Sequence, residues 1–326
     1  MTSATAGGEM AGFVVPSNPA STGTNVSRET MASDTPLADL AARDARRRLR
    51  LADAVFPKPR RTRVITVANQ KGGVGKTSTA VNLGAALAIA GARVLLIDTD
   101  PQGNASTALN APHQPGVPSI YDVLLDGRPM LEALVACPEV SNLWCVPATI
   151  DLSGAEIELV NLPSREYRLH YAIEELRRTL HQAGEQPLDY IVVDCPPSLG
   201  LLTVNAFVAG REVLIPIQCE YYALEGLSQL LHTIDLIHDR LNPELHLSAI
   251  LLTMFDSRTR LANEVAAEVR QHFPSQVLAA TIPRSVRVSE APGYGQTVMT
   301  YDPSSSGALA YFEAAKELSE KGQHHG

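Results

Sequence analysis

No C-x-x-C pair occurs in this 326-residue chain, and its four cysteines (Cys137, Cys145, Cys195, Cys219) lie 8, 50 and 24 positions apart. That spacing excludes a zinc ribbon and a disulfide framework, leaving half-buried thiols in a reducing compartment. No run approaches the roughly 18 uninterrupted apolar residues of a membrane-spanning helix. The opening MTSATAGGEM has neither a basic start nor an apolar stretch, which argues against a secretory signal. Positive charge is in short supply, for the net charge is −8. Residues 1–63 hold ten Lys and Arg against six Asp and Glu, so the remainder carries a net of −12. An acidic body cannot hold a polyanion by its overall field, so any such binding needs a local patch. What the chain does have is 45% hydrophobic and 19% charged residues, enough for a sizeable core in one large α/β domain or two small ones.

Residues 1 to about 40 are rich in Ser, Thr, Ala and Gly without a sustained apolar period, and read as a disordered tail. Residues 36–52 have the composition of a short basic helix, and the prolines of the following FPKPRRTR stop it. Two readings stand for this basic stretch: a tether for nucleic acid or membrane, or a solvated linker. The expected division is a partly basic extension over 1–62, a folded domain over 63–322, and a tail over 323–326.

From Arg63 onward apolar strand-like runs alternate with helix-length amphipathic runs. VITVA (64–68), RVLLID (93–98), LWCVPA (143–148), YIVVD (190–194), EVLIPI (212–217), LSAILLTMF (247–255) and VLAATIP (277–283) read as strands. Continuous β-branched runs between helices predict an α/β fold, a mostly parallel twisted sheet with helices on both faces. No internal repeat and no second domain are expected.

The stretch VITVANQKGGVGKTSTAVNL reads as strand, glycine loop and helix. Against the phosphate-loop pattern G-x-x-x-x-G-K-[ST], Gly75, Lys76 and Thr77 fit, but Gln70 stands in place of the first glycine. Three glycines (Gly72, Gly73, Gly75) let the backbone N–H groups point inward as an anion nest at a helix N-terminus, with Val74 and Ser78 completing the loop. Lys76 would reach the β- and γ-phosphates of ATP, and Thr77 would offer its hydroxyl to Mg²⁺.

Lys71 has no use in an ordinary phosphate loop. With it, K-G-G-x-G-K-T resembles the deviant Walker A family of P-loop ATPases, which includes ParA/Soj, MinD, the nitrogenase iron protein and the arsenite pump ATPase. The resemblance implies that Lys71 crosses to a partner's nucleotide in a sandwich homodimer, since two triphosphates face each other only with cations between them. Asp98 and Asp100 close the second strand in RVLLIDTDPQGNAST, and Asp194 closes YIVVD as a Walker B aspartate does. Each aspartate alone could be a helix N-cap or a turn former. As a set beside the loop they read as functional: Asp194 would hold Mg²⁺ through a water, and the family resemblance implies that Asp100 orients the attacking water and Asp98 supports the metal shell. Lys71, Lys76 and Asp100 are the expected catalytic residues.

DTDPQGNAST, DCPPSLGLLTVNA, IPIQCEYYALEGLSQL, LLTMFDSRTRLANEV and IPRSVRVSEAPGYGQTV are similar to the ParA/Soj partition ATPases over about residues 62–322. The resemblance implies ATP-dependent segregation of a chromosome or plasmid. The ATP-bound dimer would bind double-stranded DNA without sequence preference, and a ParB-type centromere-binding protein would release it by stimulating hydrolysis. It also implies a cytoplasmic, nucleoid-associated protein with no membrane contact. By motif, Arg258 and Arg287 occupy the DNA-contact positions, with Arg260 and Arg284 as neighbours. The alternative is that these arginines pair with Asp256, Glu264 or Glu290. Pro283 would border the adenine pocket. A ParA-like ATPase that positions another cargo, and an ATP-dependent metabolic enzyme on the same fold, remain alternative readings. The extension is similar to those of actinobacterial chromosomal relatives, and it would bind DNA, a polar scaffold protein or nothing.

Overall fold

The computed structural model describes residues 55–220 and 223–322, together with Ala45 and Arg47. The expected disordered tail, most of the basic helix and residues 323–326 lie outside the described residues. Ala45 and Arg47 are both helical.

Eight strands form one sheet: β1 (Arg63–Val67), β2 (Val94–Asp98), β3 (Val135–Ala136), β4 (Leu143–Val146), β5 (Tyr190–Asp194), β6 (Glu212–Gln218), β7 (His246–Phe255) and β8 (Val277–Pro283). Their spatial order is β3-β4-β2-β5-β1-β6-β7-β8, and every pairing is parallel except that of β3 with β4. The helices are α1 (Lys76–Ile89), α2 (Asn104–Ala108), α3 (Ile120–Leu125), α4 (Leu152–Leu159), α5 (Arg168–Gln182) and α6 (Leu201–Ala209). They continue as α7 (Ala223–Arg240), α8 (Arg260–His272), α9 (Val286–Glu290), α10 (Val298–Tyr301) and α11 (Ser306–Lys321).

The strands are apolar at consecutive positions because both faces of the sheet are covered. Alternate side chains of one strand enter different cores: Leu95 and Ile97 join one cluster, Val94 and Leu96 the other. Fully burying each such side chain contributes about 1.5–3 kcal/mol. α1 is itself buried nearly all round, and at Gly84 it packs on β2 and β4, with Val94, Leu143 and Leu96 at ordinary contact distance from a built Cβ. α5 keeps the ordinary amphipathic pattern, burying Leu169, Ile173 and Leu176 at helical spacing. α3 starts at a capping box in which the Asp122 carboxylate accepts from the Ser119 N–H at 2.8 Å and its hydroxyl at 3.0 Å. All four cysteines are free and buried, more deeply than the half-buried thiols expected. No helix among the described residues is long and apolar enough to cross a membrane.

A parallel sheet puts the carboxyl ends of its strands at one edge, where ligands of open α/β sheets gather. β1, β2 and β5 end there together, with Val67 in register with Asp194 and Asp194 with Asp98.

Candidate nucleotide site

The loop between β1 and α1 turns on two glycines. Gly73 at φ 75° and Gly75 at φ 86° lie in the left-handed region, where a side chain would be strained. Gly75 is the N-cap of α1 and has no side-chain cap, so the first N–H groups of the helix are available to an anion. The loop is fastened to distant strands. Asn69 donates to the Pro216 carbonyl at 2.8 Å and accepts from the Lys71 N–H at 2.9 Å. The Thr253 hydroxyl donates to the Val74 carbonyl at 2.8 Å. Beside it Met254 takes φ 49°, an unusual value for a non-glycine residue, within 4.0 Å of a Cβ built on Gly75.

The two lysines of the loop differ in surroundings. Lys76 is 7% exposed and donates to the Lys71 carbonyl at 3.3 Å. Burial lowers its pKa, while the Asp194 and Asp100 carboxylates oppose that shift and favour the ammonium. Lys71 lies at the mouth of the loop with its side chain 41% exposed, and its Nζ is 2.5 Å from Glu220 Oε2.

The three aspartates also separate. Asp98 is fully buried and already holds three donors: the Ser106 N–H at 2.9 Å, the Ser106 hydroxyl at 2.7 Å and the Asp100 N–H at 3.1 Å. Desolvation still pushes its pKa up to about 6. Asp100 accepts from the Gln102 N–H at 3.0 Å. Asp194 is fully buried, yet neither carboxylate oxygen has a hydrogen-bond partner among the described residues. Desolvation, reinforced by Asp98, drives its pKa well up, against the pull of the Thr77 hydroxyl and the Lys76 ammonium. An orphaned buried carboxylate beside a threonine hydroxyl fits a hydrated divalent cation, and of the expected metal ligands Asp194 and Thr77 have the capacity left to hold one. Asp98 is spent on ordering the turn into α2.

The substitution Asp194→Asn is therefore expected to stabilise the nucleotide-free fold, by about 1–3 kcal/mol, because a neutral amide replaces a desolvated carboxylate that has no hydrogen-bond partner among the described residues. Wild type should recover part of the same difference on acidification. The folded-state pKa values lie above the unfolded ones, so the folded chain binds more protons, and stability rises as pH falls from about 6 towards 4. Urea unfolding of both proteins across that range checks it; equal stabilities at neutral pH would contradict it.

A cavity of about 250 Å³ adjoins the loop, lined among others by Thr77, Ser78, Asn82, Val288 and Pro292. Pro283 closes β8 opposite Phe255 and is not among the residues lining that cavity. The four arginines all lie at the surface. Arg258 forks onto Asp256 with both contacts at 2.8 Å, Arg260 meets Glu264 at 2.6 Å, and Arg287 meets Glu290 at 3.0 Å. The three carboxylates weighed as alternative partners are thus engaged. The Arg258 and Arg260 side chains are nonetheless 88% and 91% exposed, and such pairs contribute about 0–1 kcal/mol. A phosphate group can displace them.

A family model described as an AAA domain matches residues 62–247. The chromosome partitioning protein ParA of Myxococcus xanthus is 53% identical over 256 residues, 78% of this chain and 87% of the relative. The sporulation initiation inhibitor protein Soj of Bacillus subtilis is 50% identical over 260 residues, 80% of this chain and 99% of the relative. A crystal structure of cobyrinic acid a,c-diamide synthase from Mycobacterium smegmatis, with bound ADP and magnesium, is 40% identical with a TM-score of 0.65, covering 78% of this chain and 92% of that one. A deviant phosphate loop, aspartates at the ends of β2 and β5 with Asp100 just beyond, and identities of this size agree: the chain belongs to the ParA/Soj family of chromosome-partitioning ATPases, within the MinD/ParA group of P-loop ATPases.

Proposed function

We propose that this chain is a partition ATPase that pairs around ATP, binds DNA as the pair and lets go after hydrolysis. Lys76 and the N–H groups of Gly73 to Ser78 bind the triphosphate, and the Thr77 hydroxyl and Asp194 hold Mg²⁺. When bound, Mg²⁺ neutralises charge developing on the β- and γ-oxygens. Asp100 orients the attacking water, Asp98 fixes the turn that presents Asp100, and Lys71 reaches the nucleotide of a second copy.

The observation that carries the reading is Lys71. Its side chain is 41% exposed and its ammonium is paired with Glu220, a residue outside the loop. Gly72 supports the same reading. A Cβ built there meets nothing within 4 Å and its φ is not positive, so the chain's own fold does not require the glycine. An approaching second copy would. DNA contact follows from two copies of the Arg258 and Arg287 surface, because single arginines on an acidic monomer are too few. A ParB-type partner then accelerates hydrolysis, and DNA release is linkage: DNA favours one state and ATP stabilises that state.

The test is retention of a DNA duplex with ATP, with ADP and without nucleotide, at two salt concentrations. Binding is expected with ATP alone, weakening roughly a hundredfold between about 50 and 200 mM salt, the slope for about four neutralised phosphates. Arg258→Glu should abolish the shift while sedimentation still shows an ATP dimer. Binding in every nucleotide state would overturn the proposal. Binding in none would favour a metabolic enzyme, the class of the Mycobacterium smegmatis neighbour.

A further inference from the structure

The arginines of the PKPRRTR linker are not used by the nucleotide site. They lie at the opposite pole, at the amino ends of the strands, over a cavity of about 270 Å³. The linker is pinned on both sides of them. Phe56 packs on Phe312 at 5.0 Å between ring centroids, and the Thr62 hydroxyl donates to the Leu188 carbonyl at 2.7 Å. Arg60 and Arg61 are thereby held in the cavity wall, which they share with Arg211, just before β6, and Lys321, at the end of α11.

The charges in the wall do not cancel. Glu212, the one carboxylate there, is consumed: Arg63 grips both its oxygens at 2.7 and 2.6 Å, and the Ser248 hydroxyl adds a bond at 2.7 Å. Arg63 spends its remaining nitrogen on the Leu318 carbonyl at 2.8 Å. Gly322 closes the wall beside it, where a Cβ would overlap the Arg63 guanidinium. Lys321 is engaged by the Ser275 carbonyl at 2.6 Å. Two guanidinium groups and one edge of a third are left. Arg60 and Arg61 make no ion pair among the described residues, and both are exposed. Arg211 pairs through Nε with Glu244 at 3.1 Å, but its Nη1 is buried with no hydrogen-bond partner among the described residues. A buried N–H without an acceptor is destabilising, and a native site retains such a group when something else supplies the acceptor.

We propose that this pole is a second anion site, built to take a phosphate group between Arg60, Arg61 and Arg211. The forked guanidinium matches phosphate oxygens two at a time, and the volume admits a group of the size of pyrophosphate. The same chemistry is carried by a free diphosphate and by a DNA backbone, and the two are separable. This inference does not depend on the ATPase reading.

The test titrates inorganic pyrophosphate into the full chain and follows backbone amides by NMR. Shifts at Thr62, Ser248 and Gln276 report this site, and shifts at Gly73–Thr77 report the phosphate loop. Saturable shifts at the first group are expected, weakened at least tenfold by Arg211→Gln and by the double change Arg60→Ala, Arg61→Ala. The double change touches only exposed side chains, so it keeps the test valid if Arg211→Gln unfolds. A parallel titration with a 20-base-pair duplex separates the sources. Shifts with pyrophosphate alone assign a small anion, and stronger shifts with duplex, lost in the same variants, assign a nucleic-acid backbone. No shift at Thr62, Ser248 and Gln276 with either probe, or shifts indifferent to the variants, would overturn the proposal.

Discussion

Lys76→Ala should reduce ATP hydrolysis by at least about a hundredfold, the cost of losing one preorganised charge aimed at the phosphates. It should also remove the thermal stabilisation that ATP gives the wild-type chain. The reasoning is electrostatic. Lys76 is a buried cation beside Asp194 and Asp100, whose carboxylates oppose the effect of desolvation on its ammonium. Alanine leaves the Asp194 and Asp100 carboxylates without that cation at the point where a triphosphate must enter. Like charges then repel the ligand before any transition state is reached. Binding is lost along with turnover, and calorimetric titration with ATP separates the two. Tight ATP affinity in the variant would remove Lys76 from the phosphate site and with it the orientation assigned to the loop.

For Asp100→Ala the expected pattern is the reverse. Turnover falls by roughly a hundredfold or more while ATP affinity stays within about threefold, the signature of a contact made only in the transition state. The Asp100 carboxylate accepts from the Gln102 N–H, on its own side of the site, so its removal leaves the glycine cradle intact. The variant should therefore accumulate ATP-loaded and stay on DNA longer than wild type. Single-turnover hydrolysis together with a DNA wash-off assay measures both quantities. Hydrolysis at the parental rate would transfer the water-positioning role to another residue.

Much of this was legible in the sequence because the relevant signals are local. Apolar runs ending in aspartate mark β2 and β5, and K-G-G-V-G-K-T marks a turn that favours glycine at positions 73 and 75. The arginine pairs were legible too, since Arg258, Arg260 and Arg287 find carboxylates two to four residues away. The short elements were not. α2, α9 and α10 run four or five residues, less than two turns, so no period develops in them. β3 contributes two residues and turns antiparallel at the sheet edge. Least visible were the supports of the site. Asn69 with Pro216, Val74 with Thr253 and Lys71 with Glu220 join residues well over a hundred positions apart, and only the order of the strands brings them together. Ser106 against Asp98 is nearer in sequence, but its role depends on a left-handed Gly103 that reverses the chain into α2.

The Arg63 side chain makes one further feature of the architecture intelligible. It opens the first strand and bonds the last helix at Leu318, while Arg47 forks onto Glu313 of that helix at 2.8 and 2.6 Å. Two guanidinium groups thus clasp the start of the folded body to its last helix, on the side of the sheet away from the phosphate loop. β1 then carries the chain about 16 Å to the far side before chemistry begins.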